Sequence, residues 1–367
     1  MKWVHAVMAA LGRALLSLRY RITIHDPEGI LRGEGKRPIL FLPNHPAEVD
    51  PIIVSILLMR RFAPRPLAAE HFYYLPGTSL FFKLLRALPI PNFEMSANSW
   101  KIAQGEKAKA EIVSSLMSGD HFLIYPSGRL RRGPKEQLGA SSLVPSLISD
   151  IPNLDIVLIR TRGLWGSRFS YALTGKRPDF WRELMRGVAI LCKNLLFFAP
   201  RRHIEIDIAR APADFPREGD RLEINRYLEH WYNEKGHEPL TLVPLYFWSN
   251  VTAEVTDKGP ETSRAEDDIP EELFTFVTEK IDAFRQGQKK PIQRGDQLAS
   301  DIGLDSLDIA ELVTAVDARY HIGHVSLAAL QTVGDLCLAA MGGLESERPP
   351  LAVIKPLPTE EDRPEVA

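Results

Sequence analysis

The chain has 367 residues, 45% hydrophobic and 25% charged, with a formal net charge of −2. That length predicts one large and one small domain rather than a single core, and the composition is that of a globular chain, which excludes a disordered or fibrous protein. Cys192 and Cys337 are the two cysteines and share no ligand spacing with a histidine or with each other. Neither a disulfide framework nor a metal site is expected, a reducing cytoplasmic setting fits, and no nucleic-acid partner is expected.

Met1–Ile22 is apolar but broken by His5, Arg13 and Arg19, and it lacks the small-x-small site of a cleaved leader. It reads as an amphipathic helix able to lie on a membrane surface, and no apolar run approaches the roughly eighteen residues of a spanning helix. Further on, Pro38–Leu42, His121–Tyr125 and Asp155–Arg160 read as strands, and Pro51–Arg61, Lys101–Met117 and Arg221–Tyr232 as helices. This alternation predicts an α/β domain over residues 1–248. His203–Ile208 alternates polar with apolar residues and reads as a half-buried or edge strand. Arg182–Phe198 sets Leu184, Val188, Leu191 and Leu195 on one helical stripe, for a core or for a bilayer surface.

Residues 249–268 turn polar and read as a linker, residues 269–344 as a small helical domain, and residues 345–367 as a flexible proline-rich tail. The low net charge hides an asymmetry. Through Ala265 there are 36 basic and 27 acidic side chains, whereas residues 266–344 hold 6 and 14. A basic part is thus tethered to an acidic one.

Chemistry concentrates at three places. The first strand runs into Pro43-Asn44-His45-Pro46-Ala47-Glu48-Val49-Asp50-Pro51, with Asp50 expected as the N-cap of the next helix and Pro51 at its first position. An imidazole here can remove a hydroxyl proton while the carboxylate holds the ring, the orienting logic of a Ser-His-Asp triad with a substrate hydroxyl in place of the serine. The second place follows the strand at His121–Tyr125 as Pro126-Ser127-Gly128-Arg129-Leu130-Arg131-Arg132. Gly128 permits a tight turn, and Arg129 with Arg131 or Arg132 offers forked N–H donors to phosphate oxygens.

This pair of motifs resembles the glycerolipid acyltransferase family over roughly residues 15–245. Asn44, His45 and Asp50 match its Asn-His-x-x-x-x-Asp motif, and Tyr125-Pro-Ser-Gly-Arg129 follows its Phe-Pro-Glu-Gly-Arg motif with Ser127 in place of the glutamate. The resemblance implies a mixed sheet flanked by helices, with His45 and Asp50 as the catalytic pair. It implies that Asn44, Ser127, Gly128, Arg129, Arg131 and Arg132 hold the acceptor's phosphate. The family's intervening phosphate-binding arginine has no counterpart in Leu88–Glu94, and Arg86 is the nearest substitute.

The third place is Gly303-Leu304-Asp305-Ser306-Leu307, leading into a helix with Ile309, Leu312, Val313 and Val316 on one face. The helix N-terminus favours a phosphodiester on Ser306, and Asp305, Asp308 and Glu311 give an acidic approach surface. A preceding helix over Glu271–Arg285 and a capping box at Thr332–Asp335 complete a domain that resembles acyl and peptidyl carrier proteins, which are small all-α four-helix bundles. The resemblance implies 4′-phosphopantetheine on Ser306, placed there by a phosphopantetheinyl transferase.

Together these readings predict an enzyme, peripheral to the inner face of the cell membrane, that moves a fatty acyl group from a thioester to a lysophospholipid hydroxyl. The thioester would sit on the chain's own carrier, a free carrier protein or acyl-CoA, with an acyl-activating ligase as a possible supplier. The alternatives are a non-glycerolipid hydroxyl as acceptor, or a carrier and docking module whose acyltransferase-like fold no longer catalyses.

Overall fold

In this computed structural model residues 2–33, 37–73, 79–91, 99–248, 269–284, 291–299, 301–304, 306–322 and 330–342 are described. The expected linker, residues 249–268, and the tail, residues 345–367, lie outside them. The elements of the larger part are α1 (Lys2–Ser17), β1 (Tyr20–His25), β2 (Ile39–Pro43), α2 (Asp50–Met59), β3 (Arg65–Ala69), α3 (Glu70–Tyr73), α4 (Ser79–Leu84), β4 (Leu88–Ile90), α5 (Ser99–Met117), β5 (Phe122–Leu123), α6 (Leu143–Asp150), β6 (Asp155–Arg162), α7 (Phe180–Lys193), β7 (Arg202–Arg210) and α8 (Arg221–Asn233).

The seven strands form one mixed sheet in the order β1-β7-β6-β2-β5-β3-β4, parallel at every pairing except β6 with β7. The predicted α/β class is therefore observed, with strands and helices largely where periodicity put them. Strand β2 shows why. Leu40 and Leu42 join one core with α5, α6 and α8, while Ile39 and Phe41 join a second core with α2 on the opposite face. A five-residue apolar run can be covered on both faces only as a central strand of a helix-flanked sheet.

Three differences from expectation have local causes. The N-terminal helix stops at Ser17, because Ile22, Thr23 and Ile24 are β-branched and pair as β1 with β7. Strand β7 lies between β1 and β6 rather than at an edge, and its alternation buries Ile204, Ile206 and Ile208. The stripe predicted to run to Phe198 ends at Lys193, where Leu195 and Leu196 take left-handed backbone angles with φ of 50° and 66°. Helix α1 packs on α2 through Gly12, where an added Cβ would come within 2.6 Å of Ile56.

The C-terminal part contains α9 (Glu271–Phe284), α10 (Ser306–Tyr320) and α11 (Val333–Ala340). They enclose their own apolar core, including Leu273, Val277, Ile281, Leu312, Val316 and Leu336. The expected capping box is present: Thr332 accepts from the Asp335 N–H at 3.0 Å, and Asp335 accepts from the Thr332 N–H at 2.9 Å. Residues 323–329 lie outside the described residues.

Candidate functional site

In parallel sheets, ligands bind beyond the carboxyl ends of the strands, and β2, β5 and β6 bring Asn44, His45, Tyr125 and Thr161 to one such end. Asn44 is buried, and both ends of its amide are engaged. It donates to the Thr161 carbonyl at 3.1 Å and accepts the Thr161 N–H at 2.7 Å, extending the β2–β6 ladder by one rung. Asn44 therefore anchors the loop, with one N–H and one oxygen lone pair of its amide outside this pairing.

The His45 main chain is held from both sides. Its N–H donates to Glu136 Oε2 at 3.2 Å, and its carbonyl accepts the Arg131 N–H at 2.9 Å. The ring lies on Tyr125, with centroids 4.3 Å apart. Asp50 is buried as the first residue of α2, and Val49 occupies the cap position, so the expected Asp50 N-cap is displaced by one residue. Its carboxylate is turned to other work: Oδ2 accepts the Tyr125 hydroxyl at 2.8 Å. Asp50 Oδ1 and His45 Nδ1 are both buried with no hydrogen-bond partner. The expected direct contact is thus replaced by an arrangement in which both groups meet the same tyrosine.

Electrostatics follow from burial. Desolvation, aided by the positive charge of Arg177, pulls the His45 pKa down to about 3, so the ring is neutral at neutral pH. Desolvation pushes Asp50 up to about 7 against the favourable hydrogen bond of Tyr125, and the charges of Glu136 and Glu238 push the same way as burial. Burial likewise raises Glu136 to about 6, opposed by Arg131 and the His45 N–H.

The basic turn divides into two kinds of arginine. Gly128, exposed with φ of 61°, forms the tip, and the Ser127 hydroxyl donates to the Arg129 carbonyl at 2.8 Å. Arg129 and Arg132 are half-buried, with Arg132 stacked 5.9 Å over the Tyr171 ring. Arg131 differs: its side chain is 4% exposed, paired with Glu238 at 2.6 Å and stacked 4.9 Å over Trp165. Glu238 also accepts the N–H groups of Gly163 and Trp165, so this pair ties the turn to the loop after β6. Arg131 makes that tie through one terminal nitrogen, while its Nε is buried without a hydrogen-bond partner. Arg86 is committed as well, bound at both nitrogens to Asp120 at 3.0 and 2.7 Å.

Four site residues escaped the sequence. Tyr125 was legible as a hydroxylated replacement for the motif's phenylalanine, but not as the bridge. Glu136, Glu238 and Arg177, the last bound to Glu48 at 2.8 Å, come from loops with no local pattern and reach the site only through the fold. Among the described residues, no group of three or more His, Cys, Asp or Glu side chains could hold a metal ion.

Ser306 is the first residue of α10, while its side chain and all of Asp305 lie outside the described residues. Glu311 is exposed. Asp308 lies 4.0 Å from Arg221 at the start of α8, and Arg221 donates to the Gly303 carbonyl at 2.8 Å.

Residues 21–149 match the protein-family model described as Acyltransferase. No curated protein matches the chain. Among solved structures, the 1-acyl-sn-glycerophosphate acyltransferase PlsC from Thermotoga maritima aligns with a TM-score of 0.40 and 16% identity, covering 64% of this chain and 78% of that one. The matched segment carries His45, Asp50 and the basic turn, and acyl transfer in general is the chemistry the family match supports.

Proposed function

We propose that His45 is the general base of an O-acyltransferase that moves a fatty acyl group from a phosphopantetheine thioester to the hydroxyl of a lysophospholipid or related glycerol phosphate. The observation that carries this reading is the pair of orphaned atoms at Tyr125. Nδ1 of a neutral imidazole can donate one hydrogen bond, Asp50 Oδ1 can accept one, and both are buried without a partner. A shift of either side chain on substrate binding pairs them and leaves Nε2 as the base. Apo geometry of this kind commonly tightens in the substrate complex.

In the reaction, Nε2 takes the hydroxyl proton as the oxygen attacks the thioester carbonyl. The new C–O bond forms, the C–S bond breaks, and the imidazolium returns the proton to the leaving thiolate. Asp50 stabilises the transient imidazolium. Arg129 and Arg132, with the Ser127–Gly128 turn, hold the acceptor's phosphate.

The donor would be carried on Ser306, after a phosphopantetheinyl transferase has modified it, with acyl groups supplied by an acyl-activating ligase, a free carrier or acyl-CoA. Support comes from the separate helical core around α9, α10 and α11 and from the Arg221 contacts with Gly303 and Asp308. Asp305, next to Ser306 in the sequence, and the exposed Glu311 add acidic charge to this segment. The reading places the protein peripherally at the inner membrane face; among the described residues no helix is long and apolar enough to cross a membrane.

Intact-mass analysis of the protein isolated from cells tests the donor: a phosphopantetheine adduct is expected on the native chain and absent from Ser306→Ala. His45→Ala should abolish transfer to a lysophospholipid from either donor. Undiminished transfer in that variant would overturn His45 as the base, and absence of transfer in the wild type would favour the second reading, a carrier and docking module without catalysis, for which the absent His45–Asp50 hydrogen bond is the specific observation. Ser127 in place of the motif's glutamate favours testing non-glycerolipid hydroxyls alongside.

A further inference from the structure

The least economical surface of the larger part lies just after α7. Leu195, Phe197, Phe198, Phe247 and Trp248 are 57–70% exposed, and Leu196 is 42% exposed beside them. Scattered apolar side chains at a surface are ordinary, but a contiguous cluster of this kind marks an interaction site. The backbone makes the cluster deliberate. Leu195 and Leu196 are consecutive bulky residues in the left-handed region, where the Cβ crowds the main chain and the conformation costs free energy.

That conformation is enforced from beneath by Asn194, which is fully buried. Its amide donates to the Ile190 and Leu245 carbonyls at 2.7 and 3.0 Å, and its oxygen accepts the Phe247 N–H at 3.0 Å. One polar side chain thus ends α7, turns four apolar residues outward and clamps the 245–248 segment against them. Phe198 and Phe247 meet with centroids 5.9 Å apart, and Phe247 and Trp248 at 4.6 Å. A protein that spends backbone strain and a buried amide to display hydrophobic side chains is building a knob for something apolar.

The flanks of the knob are basic. Lys193 and Arg201 are exposed on either side of it and Arg182 and Arg186 are exposed on the preceding turns of α7, whereas the acidic residue of α7, Glu183, is turned onto Arg168. An apolar tip flanked by exposed cations and continued by a basic helix fits an anionic bilayer, whose acyl region accepts the aromatic and aliphatic side chains while its headgroups meet the charges. Position agrees. Arg202, which opens β7 directly after the knob, donates to the carbonyls of Gly163 and Gly166 beyond the carboxyl end of β6, the same sheet end that carries His45.

We propose that the Asn194-clamped knob of Leu195–Phe198 with Phe247 and Trp248 is a monotopic membrane-docking element that seats the His45 end of the sheet on an anionic lipid surface. The proposal deepens, and rests on, the reading of this site as acting on a lipid acceptor.

Flotation of the full chain with phosphatidylcholine vesicles, with and without phosphatidylglycerol, tests it. Wild type should float with the anionic vesicles and release as salt is raised. The F197S/F198S double variant should partition at least about a hundredfold more weakly, the scale of removing two buried rings. R182Q/R186Q/K193Q should lose the dependence on phosphatidylglycerol and on salt. Thermal melting checks that each variant folds, and Trp248→Ser provides an independent substitution on the second segment.

Equal flotation of F197S/F198S and wild type would overturn the proposal. So would wild-type binding that ignores phosphatidylglycerol and salt, or a dimer lost in the variant while vesicle binding persists. Turnover of a water-soluble short-chain acceptor should be unchanged in F197S/F198S; a loss confined to the variant would overturn the docking role, whereas absence of turnover in the wild type too tells against the His45 reading and not against the knob.

Discussion

At His45, burial has fixed the protonation state before any substrate arrives. With the imidazole pulled to about 3 and Asp50 pushed to about 7, the ring is neutral throughout the physiological range and the carboxylate is the group that titrates. If Asp50 must be ionised to stabilise the imidazolium, kcat/KM should rise through an apparent pKa near 7. Asp50→Asn should remove that limb and lower kcat by about 10³–10⁴; a pH–rate profile of the two proteins decides it.

The same shifts act on stability with opposite signs. The folded His45 pKa lies below its unfolded value, so its contribution is lost as pH falls from about 6.5 toward 3. The folded Asp50 pKa lies above its unfolded value, so its contribution falls as pH rises from about 4 through 7. Melting curves of His45→Asn should therefore decline less steeply on the acid side than those of wild type. Glu136 is the remaining residue-scale test. Glu136→Ala leaves the His45 N–H without its acceptor and should cost about 1–3 kcal/mol in urea unfolding together with a fall in kcat. Glu136→Gln, which keeps an acceptor oxygen, should recover most of the stability.

At the scale of elements, the loop after β5 has two jobs that a substitution pair separates. Arg131 and Glu238 are a buried ion pair, so Arg131→Ala should destabilise by about 3–5 kcal/mol through the stranded carboxylate, read by denaturant unfolding. Arg129→Ala should leave the unfolding midpoint in place and raise KM for a phosphate-bearing acceptor about tenfold or more, the worth of one charge-assisted hydrogen bond of about 1.5–3 kcal/mol. From sequence these two arginines were indistinguishable, both lying in one basic run. The partner that separates them, Glu238, sits 107 residues from Arg131. Strands show the same divide. β2 and β6 were legible because long apolar or β-branched runs leave one choice, while β3 and β4, at three to five residues and each containing a proline, carry too little pattern to stand out from loops.

At the scale of the whole molecule, a basic larger part meets an acidic smaller one where Arg221 touches the loop before α10. Tethering already supplies effective concentrations in the millimolar range, so this contact need contribute little. Arg221→Glu should slow transfer from an acyl group carried on the chain by roughly two- to fivefold, the scale of an exposed ion pair. Transfer from acyl-CoA should stay at the wild-type rate in the same assay.

Local sequence determined the α/β class, the placement of His45 beyond a strand and of Asp50 at the head of a helix, and the Thr332 capping box. Each of these depends on neighbours within about one element, where periodicity, capping and turn chemistry act directly. Tertiary structure alone decided that Tyr125 stands between imidazole and carboxylate, that Asn44 and Arg131 are structural ties, that Glu136 supports the His45 backbone, and that Asn194 raises an apolar knob. Those assignments turn on which distant segment supplies the hydrogen-bond partner and on how far water is excluded, and both are properties of the packed sheet end and absent from any stretch of chain.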